Sequence, residues 1–89
     1  MRFTVHWTQT AEAQLASIWI GATDRHAISR SLDRIEKLLR KDPRHKSLPL
    51  PGRYFKLNAH PLQVLFEINE DDRLITVVSL RRRLKGNDR

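Results

Sequence analysis

The stretch LQVLFEINEDDRLITVVSL, residues 62–80, decides the fold of this chain. From Leu62 to Ile68 every second residue is apolar, which predicts a strand with one buried face. The polar run at 69–72 has turn composition, and the segment 73–80 is rich in β-branched residues. The stretch therefore predicts two antiparallel strands joined by a tight turn.

Two further segments have strand patterns. Residues 53–57 are short and aromatic and lead into a turn-like run at 58–61, so they predict a second hairpin. Near the N-terminus, Phe3, Val5 and Trp7 alternate with polar residues and fall on one face of a half-buried strand. This first strand must return to pair with the strands at the other end of the chain.

The residues between the first strand and the hairpins predict two antiparallel helices. Thr8 or Thr10 can cap the first helix, and Thr23 or Asp24 can cap the second. Asp42-Pro43 ends the second helix, because the residue before a proline is pushed away from helical geometry. Their apolar stripes consist of Ala11, Leu15, Ile18, Trp19 and Ala22 in the first helix, and of Ile28, Leu32, Ile35 and Leu39 in the second. Trp7 and Trp19 lie on these apolar faces and are predicted to belong to the core.

The predicted order is β-α-α-β-β-β, an α+β fold in which a helical hairpin packs on one face of a small antiparallel sheet, mixed at the first strand. The basic, proline-containing segment 44–52 is interpreted as a loop. With 89 residues the chain forms one domain, residues 1–89, with a basic tail at 84–89. The opposite face of the sheet is left partly open.

The composition narrows the possible functions. A net charge of +7 in so short a chain predicts a polyanionic partner, with solubility alone as the alternative. The chain has no cysteine, which excludes disulfides and thiolate chemistry and suits a reducing compartment. It also lacks a secretion-signal pattern and any apolar run of about 18 residues, so a cytoplasmic location is expected. The four histidines show no metal-ligand spacing, and neither a metal nor a cofactor is expected.

The open face carries the candidate functional residues. If Phe55 and Leu57 point towards the helices, alternation places Tyr54 and Lys56 on the other side. Cations there would bind phosphate and an aromatic ring could stack on a base. The candidates for catalysis are Lys56, Arg81, Arg82, Arg83 and His60, and those for substrate binding are Arg53, Tyr54, Gln63, Glu67 and Lys85.

Each candidate also has a structural interpretation. The three adjacent arginines cannot all face one side, and at least one should reach the open face. Tyr54 and Lys56 can be ordinary residues of a solvated strand, and His60 can be a turn residue before Pro61. Glu67 is a candidate acid or base, or a cross-strand partner of a cation.

The chain resembles the RelE/ParE superfamily, the toxins of bacterial type II toxin–antitoxin, or plasmid stabilisation, systems. The resemblance spans nearly the whole chain and depends on the order and spacing of several segments. They are Trp7-Thr8-Gln9-Thr10-Ala11-Glu12 with Leu15 and Ile18-Trp19, Leu38-Leu39-Arg40-Lys41-Asp42-Pro43, Pro61-Leu62-Gln63-Val64-Leu65-Phe66-Glu67-Ile68, and Val77-Val78-Ser79-Leu80-Arg81-Arg82-Arg83.

The resemblance implies a RelE-like fold and neutralisation by a cognate antitoxin, an acidic protein encoded by a neighbouring gene. In the RelE-like branch the toxin enters the ribosome and cleaves mRNA without a metal, as an endoribonuclease. In the ParE-like branch the toxin poisons DNA gyrase and is not a nuclease. A non-catalytic RNA- or protein-binding module that retains the fold is the alternative to both.

The match to the RNA-cleaving members is mixed. Lys56 matches a basic position of those members, and one of the arginines at 81–83 matches the arginine that ends their last strand. Tyr54 stands where a lysine is expected, and Gln63 stands where an arginine is usual. The C-terminal tyrosine, or histidine and tyrosine, that serves as acid or base is missing. These departures favour a ParE-like or weakened toxin.

Overall fold

The strands and helices form at the sites where the sequence patterns predict them, with one addition. A computed structural model describes residues 2–83 of the chain. The order is β-α-α-β-β-β-β: β1 (Thr4–Trp7), α1 (Gln9–Gly21), α2 (Arg25–Lys41), β2 (Ser47–Pro49), β3 (Tyr54–Ala59), β4 (Leu62–Asn69) and β5 (Leu74–Arg82). No helix in this part of the chain is both long and apolar enough to cross a membrane.

The five strands form one mixed sheet in the order β1-β5-β4-β3-β2. The pairs β2–β3, β3–β4 and β4–β5 are antiparallel. The pair β1–β5 is parallel and runs from Thr4 opposite Leu74 to Trp7 opposite Val77. The chain between β1 and β5, residues 8–73, contains both helices and the other three strands, so it is long enough for the crossover that a parallel pair needs. The predicted α+β fold with a mixed first strand is therefore confirmed.

The interpretation of 44–52 as a loop is wrong in part, because Ser47–Pro49 forms β2. Ser47 lies opposite Leu57, and Pro49 lies opposite Phe55. The strand occupies the edge of the sheet, where the missing N–H of proline can face away from the neighbouring strand. Its three residues, one of them a proline, give no alternation for a sequence pattern to detect.

One face of the sheet packs on the helices and forms the core. The largest buried side chain is Phe66 of β4, which has no exposed surface and stacks on Phe55 with ring centroids 5.6 Å apart. The helix α2 contributes Ile28, Ile35 and Leu39, all fully buried, as its periodicity predicts. The inward residues of the strands are Leu57, Ala59, Leu62, Val64, Ile75, Val77 and Leu80.

The helix α1 begins at the predicted cap, since the Thr8 hydroxyl accepts the Ala11 N–H at 3.2 Å. It lies against β5, and its Gln14 side chain accepts the N–H of Leu80 at 2.7 Å. Of its residues only Ala11 is fully buried, so the prediction that Trp19 is core is wrong: 38% of its surface is exposed. Trp7 is half-buried, and its indole N–H donates to Glu36 at 2.9 Å.

Candidate functional site

An irregularity in β5 decides which residues reach the open face of the sheet. Leu65 lies opposite Ser79 and Phe66 lies opposite Val77, so Val78 is an extra residue, a β-bulge. Val77 and Leu80 are consequently both buried although three positions separate them. Beyond the bulge regular alternation resumes from Leu80 onwards.

The alternation after Leu80 distributes the three arginines over both faces. Arg81 and Arg83 turn to the open face, and Arg82 turns to the helix side. The prediction that at least one arginine of the triplet reaches the open face is therefore confirmed.

The open face contains a cavity of about 390 Å³, which we call the basic cavity. Its apolar lining residues are Leu50, Val64 and Leu65. The cross-strand register brings Lys56 opposite Leu65, Leu65 opposite Ser79, and Gln63 opposite Arg81. The polar residues that line the basic cavity are Lys56, Gln63, Ser79, Arg81 and Arg83.

The basic cavity has a strongly positive lining. Within residues 2–83 neither Lys56 nor Arg81 has a carboxylate partner. The side-chain amide of Gln63 donates to Asn58 Oδ1 at 2.7 Å. This hydrogen bond fixes the side-chain rotamer of Gln63, which lies opposite Arg81. Guanidinium groups bind phosphate through two parallel hydrogen bonds, and lysine binds it as a point charge. The arrangement can therefore hold a phosphate or another anion.

Two of the predicted catalytic residues lie apart from this cavity. Arg82 donates two hydrogen bonds to the carboxylate of Asp24, at 2.9 and 2.7 Å. These bonds hold the pKa of Asp24 below its ordinary value of 3.8, and the charges of Arg82 and His60 act in the same direction. The same contact raises the pKa of Arg82. His60 is exposed in the turn between β3 and β4 and does not line the basic cavity.

Of the predicted binding residues that the structure describes, Gln63 lines the basic cavity, and the lining does not include Arg53, Tyr54 or Glu67. Tyr54 begins β3, two residues before Lys56, and lies opposite Glu67. Arg53 is exposed just before β3. Lys85 and the rest of the predicted basic tail lie outside the described residues. Residues 2–83 contain no cluster of three or more histidines and carboxylates placed to hold a metal ion.

Sequence reasoning missed Ser79 and Leu50 in the lining of the basic cavity. Ser79 reaches the cavity because of the bulge, and Leu50 reaches it because it directly follows β2 at the sheet edge. The spacing of three between the buried Val77 and Leu80 is the signal that could have revealed the bulge.

A second surface lies between the two helices, and we call it the helical groove. It is a cavity of about 670 Å³ with a mostly apolar lining, to which Glu12 and Glu36 contribute the two carboxylates. Ile20 is 75% exposed there, and the guanidinium of Arg25 lies 5.7 Å from the Trp19 ring centroid. The apolar residues that line it are Trp7, Leu15, Ala16, Trp19, Ile20 and Leu32.

The fold is shared with chains of known toxin–antitoxin complexes. The RelBE2 complex from Mycobacterium tuberculosis contains a chain with 17% identity and a TM-score of 0.74, and the match covers 93% of this chain and 100% of that one. A chain of the chromosomal ParDE system from P. aeruginosa has 15% identity and a TM-score of 0.70, and the match covers 92% of this chain and 97% of that one. A chain of the archaeal RelE–RelB complex from Pyrococcus horikoshii has 17% identity and a TM-score of 0.68, and the match covers 97% of this chain and 100% of that one. At these identities the likeness establishes the fold.

Sequence comparison establishes the family. No curated protein matches the chain. A family model described as the ParE toxin of the type II toxin–antitoxin system parDE matches residues 5–85, which is almost the whole chain. The matched segment includes both the basic cavity and the helical groove. This 89-residue chain therefore belongs to the ParE family and is a toxin of a type II toxin–antitoxin system.

Proposed function

We propose that this toxin acts in the cytoplasm on DNA gyrase and that its basic cavity binds phosphate groups of the DNA held by that enzyme. The observation that carries the proposal is the convergence of Lys56, Arg81 and Arg83 on one cavity of the open sheet face. Poisoning of gyrase is the activity that the resemblance associates with the ParE-like branch, and the family match is to ParE. Three cations that line one open cavity suit binding to a nucleic-acid backbone.

The composition of the cavity favours binding over RNA cleavage. Metal-free cleavage needs a base for the 2′-hydroxyl and an acid for the leaving oxygen, besides cations for the phosphate. The described residues that line the basic cavity are cationic, neutral polar or apolar. The two candidate acid–base groups, His60 and Glu67, lie outside that lining. Binding to a DNA backbone needs only the cations.

The test is a gyrase cleavage assay with supercoiled plasmid and the purified toxin. We expect cleaved DNA complexes to accumulate with the wild-type chain and to be lost with the double variant Arg81→Ala/Arg83→Ala. The control variant is Arg34→Ala, which removes an exposed cation of α2. Absence of cleaved complexes at toxin concentrations that arrest growth would contradict the proposal.

Ribosome-dependent mRNA cleavage is the second candidate activity. It is favoured by Lys56, a basic residue at a position shared with RNA-cleaving members, which lines the same cavity as Arg81. Primer extension on mRNA in a translating extract separates the two activities. Cleavage sites that appear only with wild-type toxin would support this candidate, and intact mRNA under growth-arresting conditions would exclude it.

We further propose that the partner is an acidic antitoxin encoded by the neighbouring gene, and that its apolar side chains cover the helical groove. The three structures compared above are of toxin–antitoxin complexes or systems. Trp19 and Ile20 leave a large apolar area exposed, which is typical of a protein-binding surface. The net charge of +7 favours an acidic partner through long-range attraction.

Co-expression tests this partner. The product of the neighbouring gene should copurify with the toxin, raise its soluble yield and restore growth of the host. A neighbouring product that neither binds the toxin nor relieves growth arrest would contradict the proposal.

A further inference from the structure

The ion pair between Asp24 and Arg82 joins two distant parts of the chain. Asp24 lies in the connection between α1 and α2, and Arg82 is the last residue of β5. The contact is bidentate, with nitrogen–oxygen distances of 2.9 and 2.7 Å. Only 31% of the Arg82 side chain and 39% of the Asp24 side chain are exposed. A two-pronged contact of this kind fixes the direction of the guanidinium plane as well as its position.

The end of β5 depends on such contacts because it has a strand on one side only. On the other side, β1 pairs with β5 no further than Val77, and α1 takes over beyond that point. Within the described residues, β5 is anchored there by the Gln14 side chain at the Leu80 N–H and by Asp24 at Arg82. The following N–H, that of Arg83, donates to the Pro61 carbonyl at 2.8 Å.

The direction of Arg82 determines the direction of its neighbours. Successive side chains of a strand point to opposite faces, so a strand whose Arg82 is fixed on the helix side must present Arg81 and Arg83 to the open face. Both of these arginines line the basic cavity. A rotation of the strand end that freed Arg82 would move both of them at once.

Asp24 makes this contact in place of a more usual one. It occupies the N-cap position of α2, where an aspartate side chain normally accepts a backbone N–H of the first turn. Here the side chain makes no capping hydrogen bond, and both carboxylate oxygens accept from Arg82 instead. The helix therefore begins without the side-chain cap that its sequence offers.

From this geometry we infer that Asp24 and Arg82 form a positioning pair, which holds Arg81 and Arg83 in the orientation that binds phosphate. The inference rests on the proposed function of the basic cavity and adds two residues that do not touch the ligand. It differs from a purely structural role in one respect: loss of the pair must weaken anion binding even where the chain stays folded.

The variant Asp24→Asn separates positioning from electrostatics. It removes one negative charge from the chain, so electrostatics alone would tighten binding to a polyanion. A positioning role requires the opposite result, weaker binding at a higher net charge. The matched control is Asp33→Asn, which changes the charge equally at an exposed position of α2. The probe is a short, fluorescein-labelled single-stranded DNA, and circular dichroism reports the folded fraction of each variant.

We expect folded Asp24→Asn to bind the probe about 10-fold more weakly than the wild type, because the interaction energy between contacting residues commonly corresponds to a change of this size. Asp33→Asn should bind as well as the wild type or better. The exchange variant Asp24→Arg/Arg82→Asp restores an ion pair and should recover most of the affinity. Growth arrest after induction should follow the same order among the variants.

Two results would overturn the positioning role. One is Asp24→Asn binding as tightly as Asp33→Asn while both are folded. The other is a folded exchange variant that binds no better than Asp24→Asn. Failure of the wild-type chain both to bind the probe and to arrest growth would instead overturn the proposed function, so the two failures are distinguishable.

Discussion

The basic cavity and the helical groove lie on opposite sides of the same sheet and are built in different ways. The basic cavity takes its residues from three strands, and one residue of register decides whether Arg81 enters it or leaves it. The helical groove takes its residues mainly from two helices and needs only that apolar side chains such as Trp19 remain exposed. The comparison shows that the charged lining of one surface depends on strand register, and the apolar lining of the other depends on exposed side-chain area.

Loss of the shared core should abolish both surfaces, and this is the largest expected effect. Phe66 is fully buried in the core that the sheet and the helices share. We expect Phe66→Ala to lower the free energy of unfolding by about 3–5 kcal/mol, because it leaves a cavity among well-packed side chains. Urea unfolding measures the loss. Leu48→Ala, at a residue 55% exposed on the edge strand, is the control and should change stability by less than about 0.5 kcal/mol.

The next largest effect should separate the surfaces. The double variant Arg81→Ala/Arg83→Ala removes two of the three cations of the basic cavity. We expect toxicity to fall by a factor on the order of 10², as for the loss of paired charges at other interfaces, while antitoxin binding is retained. Growth after induction and copurification with the antitoxin measure the two properties. Equal loss of both would show that the surfaces are not independent.

The reverse separation should come from the helical groove. Trp19 is partly exposed, so Trp19→Ala should leave the fold intact while it removes an aromatic anchor. We expect antitoxin affinity to fall by about 2 kcal/mol, roughly 30-fold, with growth arrest unchanged. Calorimetric titration measures the affinity, and Trp19→Phe is the conservative control. An antitoxin that binds Trp19→Ala normally would place the partner elsewhere.

The smallest effect concerns pH and the contact that links the helices to β5. The pKa of Asp24 is lowered in the folded chain by the hydrogen bonds from Arg82. The ionised Asp24 carboxylate therefore stabilises the folded chain at a pH above 3.8, its pKa in the unfolded chain. This stabilisation is lost as the pH falls through the lower pKa of the folded chain. The stability difference between wild type and Asp24→Asn should therefore shrink at strongly acidic pH in urea titrations. A difference that persists unchanged there would contradict an ionic contact.

The part of the fold that follows from alternation could be predicted, and the part that depends on exceptions to alternation could not. Leu62, Val64 and Phe66 are buried as predicted, because side chains alternate regularly along β4 and the extra residue of the bulge lies on β5. The strand β2 escaped prediction because its three residues contain a proline. Trp19 was misplaced because an apolar stripe on a helix shows which residues share a face but not what covers that face.

The candidate site was predicted in part for the same reason. Lys56 lies where alternation from Leu57 places it. The three arginines can be assigned to the two faces of the sheet only when the position of the bulge at Val78 is known. His60 was proposed from its chemistry alone, and its position near Asp24 depends on the path of the turn between β3 and β4.

The bulge also determines how this strand responds to changes in its length. Deletion of Val78 would leave a regular ladder in which Leu80 still points inward and Arg81 outward, so the basic cavity would survive. Insertion of one residue between Leu80 and Arg81 would exchange the faces, turning Arg82 to solvent and its two neighbours towards the helices. A single inserted codon would thus remove Arg81 and Arg83 from the basic cavity while every arginine stays in the sequence.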